Sequence, residues 1–364
     1  MNYREVELAG PKDLGTTGTE IIDIDIADVL STIELIWQTT VVTVSDMTAP
    51  HPACISKVEL VDGSDVLTSL SGEEIQAMAF FTQGKMPLDE ISVVATDYMR
   101  SALPIYFGRK LFDPELAFDP KKFKNPQLKI TWDEDAANGS VVANELTVRG
   151  WAFDEKAVNP GGFLMAKEIK SYTPVASTYE YTDMPTDYPY RLIMMQSEAT
   201  DKNPFEVLAG FKLSEEHDKK IPLDMTGAEI FRKIVQPLGP IHQNIRLNET
   251  AADAMAIHAT PTYGQCCTVD YDDDIVAAGD EHIQCAFAGC ILTIGATVNK
   301  VPYRAHLMGY APHFCFAIPF GDLQNVSDVY DVTKLGHLRL TTLGAAAVGT
   351  TPAGRICLQQ VRSY

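Results

Sequence analysis

Most segments of the chain read as strands, and one of them alternates apolar and polar positions with a period of two. After its first pair, Glu20-Ile-Ile-Asp-Ile-Asp-Ile-Ala carries apolar side chains on one face and carboxylates on the other, as a half-buried strand does. Residues 20–29, 33–44, 55–60, 128–132 and 145–153 are rich in Ile, Val, Leu and Thr and end in turn residues, so they read as strands. Gly63, Gly139, Gly161-Gly162 and Pro-rich stretches break the series at the spacing of a β-sandwich. The pattern predicts an all-β protein.

Two helix signals interrupt it, and they are written alike. In Ser71-Gly-Glu-Glu74 a Ser precedes a Glu by three residues, the arrangement in which each side chain satisfies the other residue's backbone N–H. Ile75, Met78 and Ala79 follow at helical spacing and Gly84 with Pro87 supplies the stop. Thr226-Gly-Ala-Glu229 repeats this, followed by Ile230, Phe231, Ile234 and Val235 and closed by Gly239-Pro240. The same offset of 155 residues separates Gly72 from Gly227, Glu74 from Glu229 and Gly84 from Gly239. A second echo links Leu128-Lys-Ile-Thr131 to Leu338-Arg-Leu-Thr341 and Leu146-Thr-Val-Arg149 to Ile356-Cys-Leu-Gln359, both at an offset of 210. One unit used twice explains both, with 55 extra residues between the second helix and the closing strands. The expected layout is an N-terminal arm over 1–18, a first sandwich over 19–170, a linker over 171–188 rich in Tyr, Thr and Pro, and a second sandwich over 189–364 with an insertion within 241–319.

The chain resembles the double jelly-roll major capsid proteins of icosahedral viruses, especially tailless bacteriophages. The residues that carry the resemblance are Ile55-Ser-Lys-Val-Glu-Leu-Val-Asp-Gly63 leading through Leu67 to Leu70-Ser-Gly-Glu-Glu-Ile75, then Leu103-Pro-Ile-Tyr-Phe-Gly-Arg109, Asp113 and Asn125-Pro-Gln-Leu-Lys-Ile-Thr131. The second half answers with Phe316-Ala-Ile-Pro-Phe320, Leu338-Arg-Leu-Thr341 and the closing strand over 355–362. The resemblance implies two tandem jelly-roll sandwiches with one short helix in each, trimers of pseudo-hexagonal outline that tile an icosahedral shell, and insertions that form outward towers. It also implies minor capsid or vertex proteins as partners besides the chain itself, a place in the virion after assembly in the host cytoplasm, and in some members a membrane beneath the shell.

Composition bounds the class of protein without specifying a role. An apolar fraction of 46% with 9% aromatics is enough for packed cores. A net charge of −20 repels nucleic-acid phosphate and anionic membrane alike, so neither is expected as a direct partner. The polar start Met1-Asn2-Tyr3-Arg4-Glu5 has no signal-peptide character, and the longest nearly apolar run, residues 285–298, is too short to cross a membrane and reads as one or two buried strands. Seven scattered cysteines suit a reducing compartment, which leaves the sequons at Asn138, Asn248 and Asn325 unused.

Candidate chemistry is thin. No phosphate-binding glycine loop, Gly-x-Ser-x-Gly elbow or His-Glu-x-x-His motif occurs. Asp270-Tyr-Asp-Asp-Asp274 with Glu281 partly imitates a calcium loop, but Ile275 stands where the loop needs Gly, so a solvated acidic loop is expected. His282, Cys285 and Cys290 with Cys266-Cys267 hold zinc-type ligands without zinc-site spacing, and buried thiols are the expectation. Phe80, Phe81, Phe316 and Phe320 sit in apolar runs and read as core. No catalytic set and no cofactor is expected, and the metal question stays open. The leading function is a self-assembling major capsid protein. The alternatives are a trimeric receptor-binding spike and a carbohydrate-active β-sandwich enzyme.

Overall fold

The computed structural model describes all residues except 1–2, 43–46, 95, 138–140, 155–157, 249–254, 271–282, 286–290 and 295–301. The first half runs through β1 (Tyr3–Leu14), β2 (Thr17–Asp23), β3 (Leu30–Val41), β4 (Ile55–Asp62), β5 (Asp65–Leu70), helix α1 (Gly72–Gln83), β6 (Asp89–Val93), β7 (Tyr98–Tyr106), β8 (Pro126–Asp133) and β9 (Val141–Phe153). The second begins with β10 (Gly162–Tyr172), β11 (Tyr179–Asp183), β12 (Tyr190–Glu198), α2 (Pro204–Val207), β13 (Leu208–Glu215), β14 (Lys220–Thr226) and α3 (Gly227–Ile230). It continues with β15 (Ile241–Asn248), β16 (Met255–His258), β17 (Pro261–Asp270), β18 (Ile283–Cys285), β19 (Ile291–Ile294) and β20 (Pro302–Pro312), then closes with β21 (Cys315–Pro319), β22 (Leu338–Gly344) and β23 (Ala353–Ser363).

Both halves are wired identically. In the first, strands in the order β1-β9-β3-β7 face strands in the order β2-β8-β4-β5; in the second, β10-β23-β12-β21 face β11-β22-β13-β14. Each sheet therefore mixes strands from the beginning and end of its half, so neither sandwich closes until its last strand is in place. Leu35, Trp37, Leu103 and Val148 from one sheet meet Val58, Leu60, Leu128 and Ile130 from the other in the first core. Ile193, Phe316, Ile318 and Leu358 meet Phe211, Leu213 and Leu340 in the second.

The two capped helices form as expected. Ser71 and Thr226 each accept from the backbone N–H of the Glu three residues on, and Glu74 and Glu229 accept in return from the N-cap N–H groups. The first helix ends in left-handed Gly84. The second loosens after one turn into a π turn (Phe231–Val235) and a 3-10 turn (Gln236–Leu238) whose start holds Pro237, a residue unable to donate to the helical ladder.

The shared Gly has a physical cause. A Cβ on Gly72 would stand 2.2 Å from the Pro52 carbonyl and 3.2 Å from Ile55 Cβ, and one on Gly227 would stand 2.9 Å from the Leu208 carbonyl and 3.3 Å from Phe205 Cβ. Each helix starts against the entrance of the strand that opens its sheet pair, β4 or β13, and only Gly allows that approach.

Several expected boundaries move. Residues 3–14, read as an arm, form β1, which pairs along its length with β9; the Gly10-Pro11 that suggested coil sits where the pairing register shifts between Ala9 and Lys12. An edge strand tolerates Pro and bulges because half of its backbone groups face outward anyway. Residues 162–170 belong to β10, the first strand of the second sandwich, and the expected linker over 171–188 contains the end of β10 and all of β11. The insertion ends before Cys315, because β21 is a core strand. Nor is the insertion only loops: β15, β20 and β17 extend the first sandwich's sheet through a parallel pairing of β15 with β6, and β16-β19-β18 make a separate small sheet.

Candidate functional site

The most chemically loaded region is the seam between the sandwiches. Sheet β10-β23-β12-β21 is buried on both faces. Ile193, Met195, Ile356 and Leu358 point into the second core, while Leu192, Met194, Cys315 and Cys357 point at α1 in the first. This double burial explains the unbroken run Tyr190-Arg-Leu-Ile-Met-Met-Gln-Ser, in which no position could face water. Helix α1 is likewise buried almost all round, so its apolar residues do not form one stripe. A two-residue parallel pairing of β5 with β10 joins the sandwiches' backbones.

Polar groups in the seam are placed by α1. The Gln76 amide donates to the Ala102 carbonyl (3.2 Å), and Nε2–H of the fully buried His313 donates to Gln76 Oε1 (2.8 Å). His313 Nδ1 then carries the lone pair, has no hydrogen-bond partner, and lies 3.9 Å from Glu73 Oε1. Burial pushes the Glu73 carboxyl up to about 8, with the nearby Glu198 charge adding to it. Burial also pulls His313 down to about 3. At neutral pH the pair is therefore a protonated acid beside a neutral imidazole, which spares the seam two buried charges. Glu74 is raised by burial too, and its second oxygen stands 3.9 Å from Arg355, whose own shift is set by burial against the carboxylates of Glu74, Glu73, Glu168 and Glu198.

A second buried chain of hydrogen bonds runs from the first core to the insertion. His51 lies between Thr39 Oγ1 (3.1 Å) and Ser101 Oγ (2.8 Å), and the Ser101 hydroxyl donates to Asp89. Ser101 must then accept from His51 Nδ1–H, leaving Nε2 to accept from Thr39. Asp89 also accepts from Gln243 (2.8 Å) and Thr260 (3.1 Å), which holds β15 and the start of β17 against β6. Burial lowers His51 to about 3 and raises Asp89.

The turn after β7 is tied down by Arg109. Its guanidinium donates twice to Asp113 (2.6 and 2.8 Å), also to Glu115, and to the Gln324 carbonyl (2.8 Å) in the other half. Burial works to raise Asp113, but the Arg109 hydrogen bonds hold it below its ordinary value. Gly108 stands here because a Cβ would lie 2.5 Å from the Leu116 carbonyl and 2.6 Å from Asp113 Cβ. Arg109 and Asp113, which carried part of the resemblance, thus act as a clasp between the sandwiches.

On the surface, a groove of about 590 Å³ runs between β6, β7 and β15, lined by Leu88, Tyr98, Arg100, His242, Asn244 and Arg246 among others. Its charges are mostly paired within it, Arg100 with Glu90 (3.2 Å) and Arg246 with Asp97 (2.9 Å). It belongs to the junction of insertion and first sandwich, which no local signal in the sequence marked.

The metal candidates are not brought together. Asp270 ends β17, while Asp272, Asp273, Asp274, Glu281, His282 and Cys290 lie outside the described residues; Cys266 is exposed and Cys267 half-buried on β17, and Cys285 is the last residue of β18. Among the described residues no three His, Cys, Asp or Glu groups converge as metal ligands. The expectation of a buried thiol fails at Cys266, which sits on the exposed face of β17; the thiols that are buried, and pushed up by burial, are Cys54, Cys315 and Cys357. Phe80, Phe81 and Phe316 are core residues as expected, whereas Phe320 is half-buried against the edge of the second core. The Asn138 sequon lies outside the described residues, and Asn325 is exposed.

Comparison with solved structures places this geometry. The crystal structure of the STIV MCP aligns over 99% of this chain and 96% of its own, with a TM-score of 0.63 at 9% identity. The major capsid protein P2 from bacteriophage PM2 aligns over 99% and 98%, with a TM-score of 0.53 at 11% identity. The PBCV-1 virus capsid chain aligns over 99% and 93%, with a TM-score of 0.56 at 10% identity.

The fold is the double jelly roll.

The double jelly roll covers essentially the whole chain, insertion included, since each alignment spans nearly all of both partners. No family model matches the sequence, and no curated protein does. At 9–11% identity it is the wiring of the sheets that is shared, because a sandwich accepts many apolar residues at each core position.

Proposed function

We propose that the chain is the major capsid protein of an icosahedral virus, and that its work is to build the shell from copies of itself. The observation that carries this is the end-to-end match of the double jelly roll to viral capsid chains, two sandwiches and insertion together. A fold alone does not name a function. Here the chemistry agrees with a structural role: the strongly shifted Glu73 and His313 are buried where the sandwiches meet, and the surface groove pairs most of its own charges.

The assembly unit we propose is a homotrimer. Two similarly wired units per chain make six in a trimer, which fits a sixfold lattice position without six identical subunits. With −20 charges per chain, association needs apolar burial to exceed repulsion, so added salt should favour it. The insertion over residues 241–312 is assigned to the outer surface, with minor capsid or vertex proteins as further partners in the virion.

Native mass spectrometry and light scattering at several salt concentrations test this reading, followed by electron microscopy of the assembled material. Trimers of about 120 kDa, three times the 40.0 kDa chain, and hexagonal plates or shells are the expected result. A monomer at every salt concentration, with no lattice formed, would reject it.

A further inference from the structure

Two exposed histidines on the insertion face each other across neighbouring strands. His242 Nδ1 of β15 lies 3.4 Å from His306 Nε2 of β20, with the ring planes 22° apart. Asn244, directly opposite His306 in the pairing of β15 with β20, puts its Oδ1 2.8 Å from His306 Nδ1. An amide oxygen only accepts, so His306 carries its proton on Nδ1 and presents the Nε2 lone pair to His242.

The separation suits a shared ion as well as a long hydrogen bond. N–H···O bonds ordinarily span about 2.7–3.2 Å, and at 3.4 Å the two ring nitrogens stand at the long end for a direct hydrogen bond. Two imidazole nitrogens each about 2.0–2.1 Å from a tetrahedral zinc stand roughly 3.3–3.4 Å apart. The Asn244 contact is also of the kind that fixes the tautomer and orientation of a ligating histidine. Sulfur lies on the same sheet face: Met308 is the cross-strand partner of His242, and Cys266 is the partner of Met308, all three exposed. Such surroundings suit a borderline or soft ion better than magnesium or calcium.

We propose that His242 and His306 bind a divalent transition-metal ion of the zinc or copper class, with Asn244 as the positioning residue. No third His, Cys, Asp or Glu among the described residues joins them, so the ion keeps open positions for water or for a donor from a bound molecule. The site adjoins the groove, since His242 and Asn244 line it. Neither histidine belongs to the seam or to a core, so replacing either should leave the fold intact.

Calorimetric titration of the full chain, freed of metal with a chelator, with zinc and separately with magnesium tests the site. The expected result is saturable binding of one zinc ion per chain and none of magnesium. H242A and H306A should each weaken it at least tenfold, and N244A by about tenfold. H217A, which alters the separate stacked pair His217–His337, should leave it unchanged. Absence of saturable zinc binding, or binding that survives both H242A and H306A, would overturn the site. Unchanged affinity in N244A would refute the positioning role.

Discussion

His313 and Gln76, 237 residues apart in sequence, share a buried hydrogen bond of 2.8 Å that pins the start of the second sandwich's strand β21 to helix α1 of the first. His313 sits in the tight turn just before that strand, with a left-handed backbone at φ 49°, and its own carbonyl accepts from Gln196 (3.0 Å). H313A would leave Gln76 Oε1 buried and unpaired and open a cavity. The expected loss is about 2–4 kcal/mol, read as a lower denaturation midpoint; a loss below about 0.5 kcal/mol, the level of an ordinary surface change, would contradict the pinning role.

Glu73 makes stability depend on pH in the alkaline direction. Its carboxyl holds a proton in the folded chain up to about 8, whereas an unfolded Glu releases it near 4.5. Between these values the folded state binds the extra proton, so stability falls as pH rises and levels off above about 8. E73Q keeps a neutral side chain throughout. Relative to the parent it should gain roughly 1–3 kcal/mol between pH 5 and 9, and parallel stability curves for the two would show that Glu73 is ionised in the fold.

His51 and His313 set the acid limit. Both are held neutral to about 3 by burial, while unfolded histidines take up a proton near 6.5. The stability they contribute is present above that value and is lost as pH falls toward 3. A thermal scan of H51N should show a shallower decline between pH 6.5 and 4 than the parent, and an identical slope would remove His51 from this account.

The two N-terminal helix glycines should respond unequally to one change. G72A drives a methyl to 2.2 Å from a carbonyl, a distance that requires the backbone to move, while G227A meets its nearest carbonyl at 2.9 Å. Overpacking of this kind costs about 1–3 kcal/mol, so G72A should fall at or beyond the upper end and G227A nearer the lower. The reverse order in chemical denaturation would refute the close-approach explanation.

Deleting residues 1–14 tests the reassignment of the expected arm. With β1 gone, the edge of β9 is left unpaired and the half-buried Val6, Leu8 and Leu14 lose their contacts with the core. The truncated chain should melt several degrees lower or aggregate through the new edge. An unchanged melting temperature would restore the arm reading.

The sequence by itself determined what depends on near neighbours. The capping boxes at Ser71 and Thr226 were legible because their hydrogen bonds close within three residues, and the repeat was legible because both copies need Gly at the same close approach. The strands β3, β4, β8 and β9 were legible from their runs of Ile, Val, Leu and Thr between turn residues. Only the tertiary structure decided where each sandwich begins, because β1 and β10 are placed by pairing with β9 and β23, their last partners in the chain. It alone decided the seam as well. Helix α1 and strand β12 lack a polar face because each packs on two sides at once, so local periodicity carries no sign of what either touches. The pairs Gln76–His313 and His242–His306 join residues 237 and 64 positions apart, and no spacing rule along one chain connects them; the packing of α1 on the second sandwich brings the first together and the register of β15 on β20 the second.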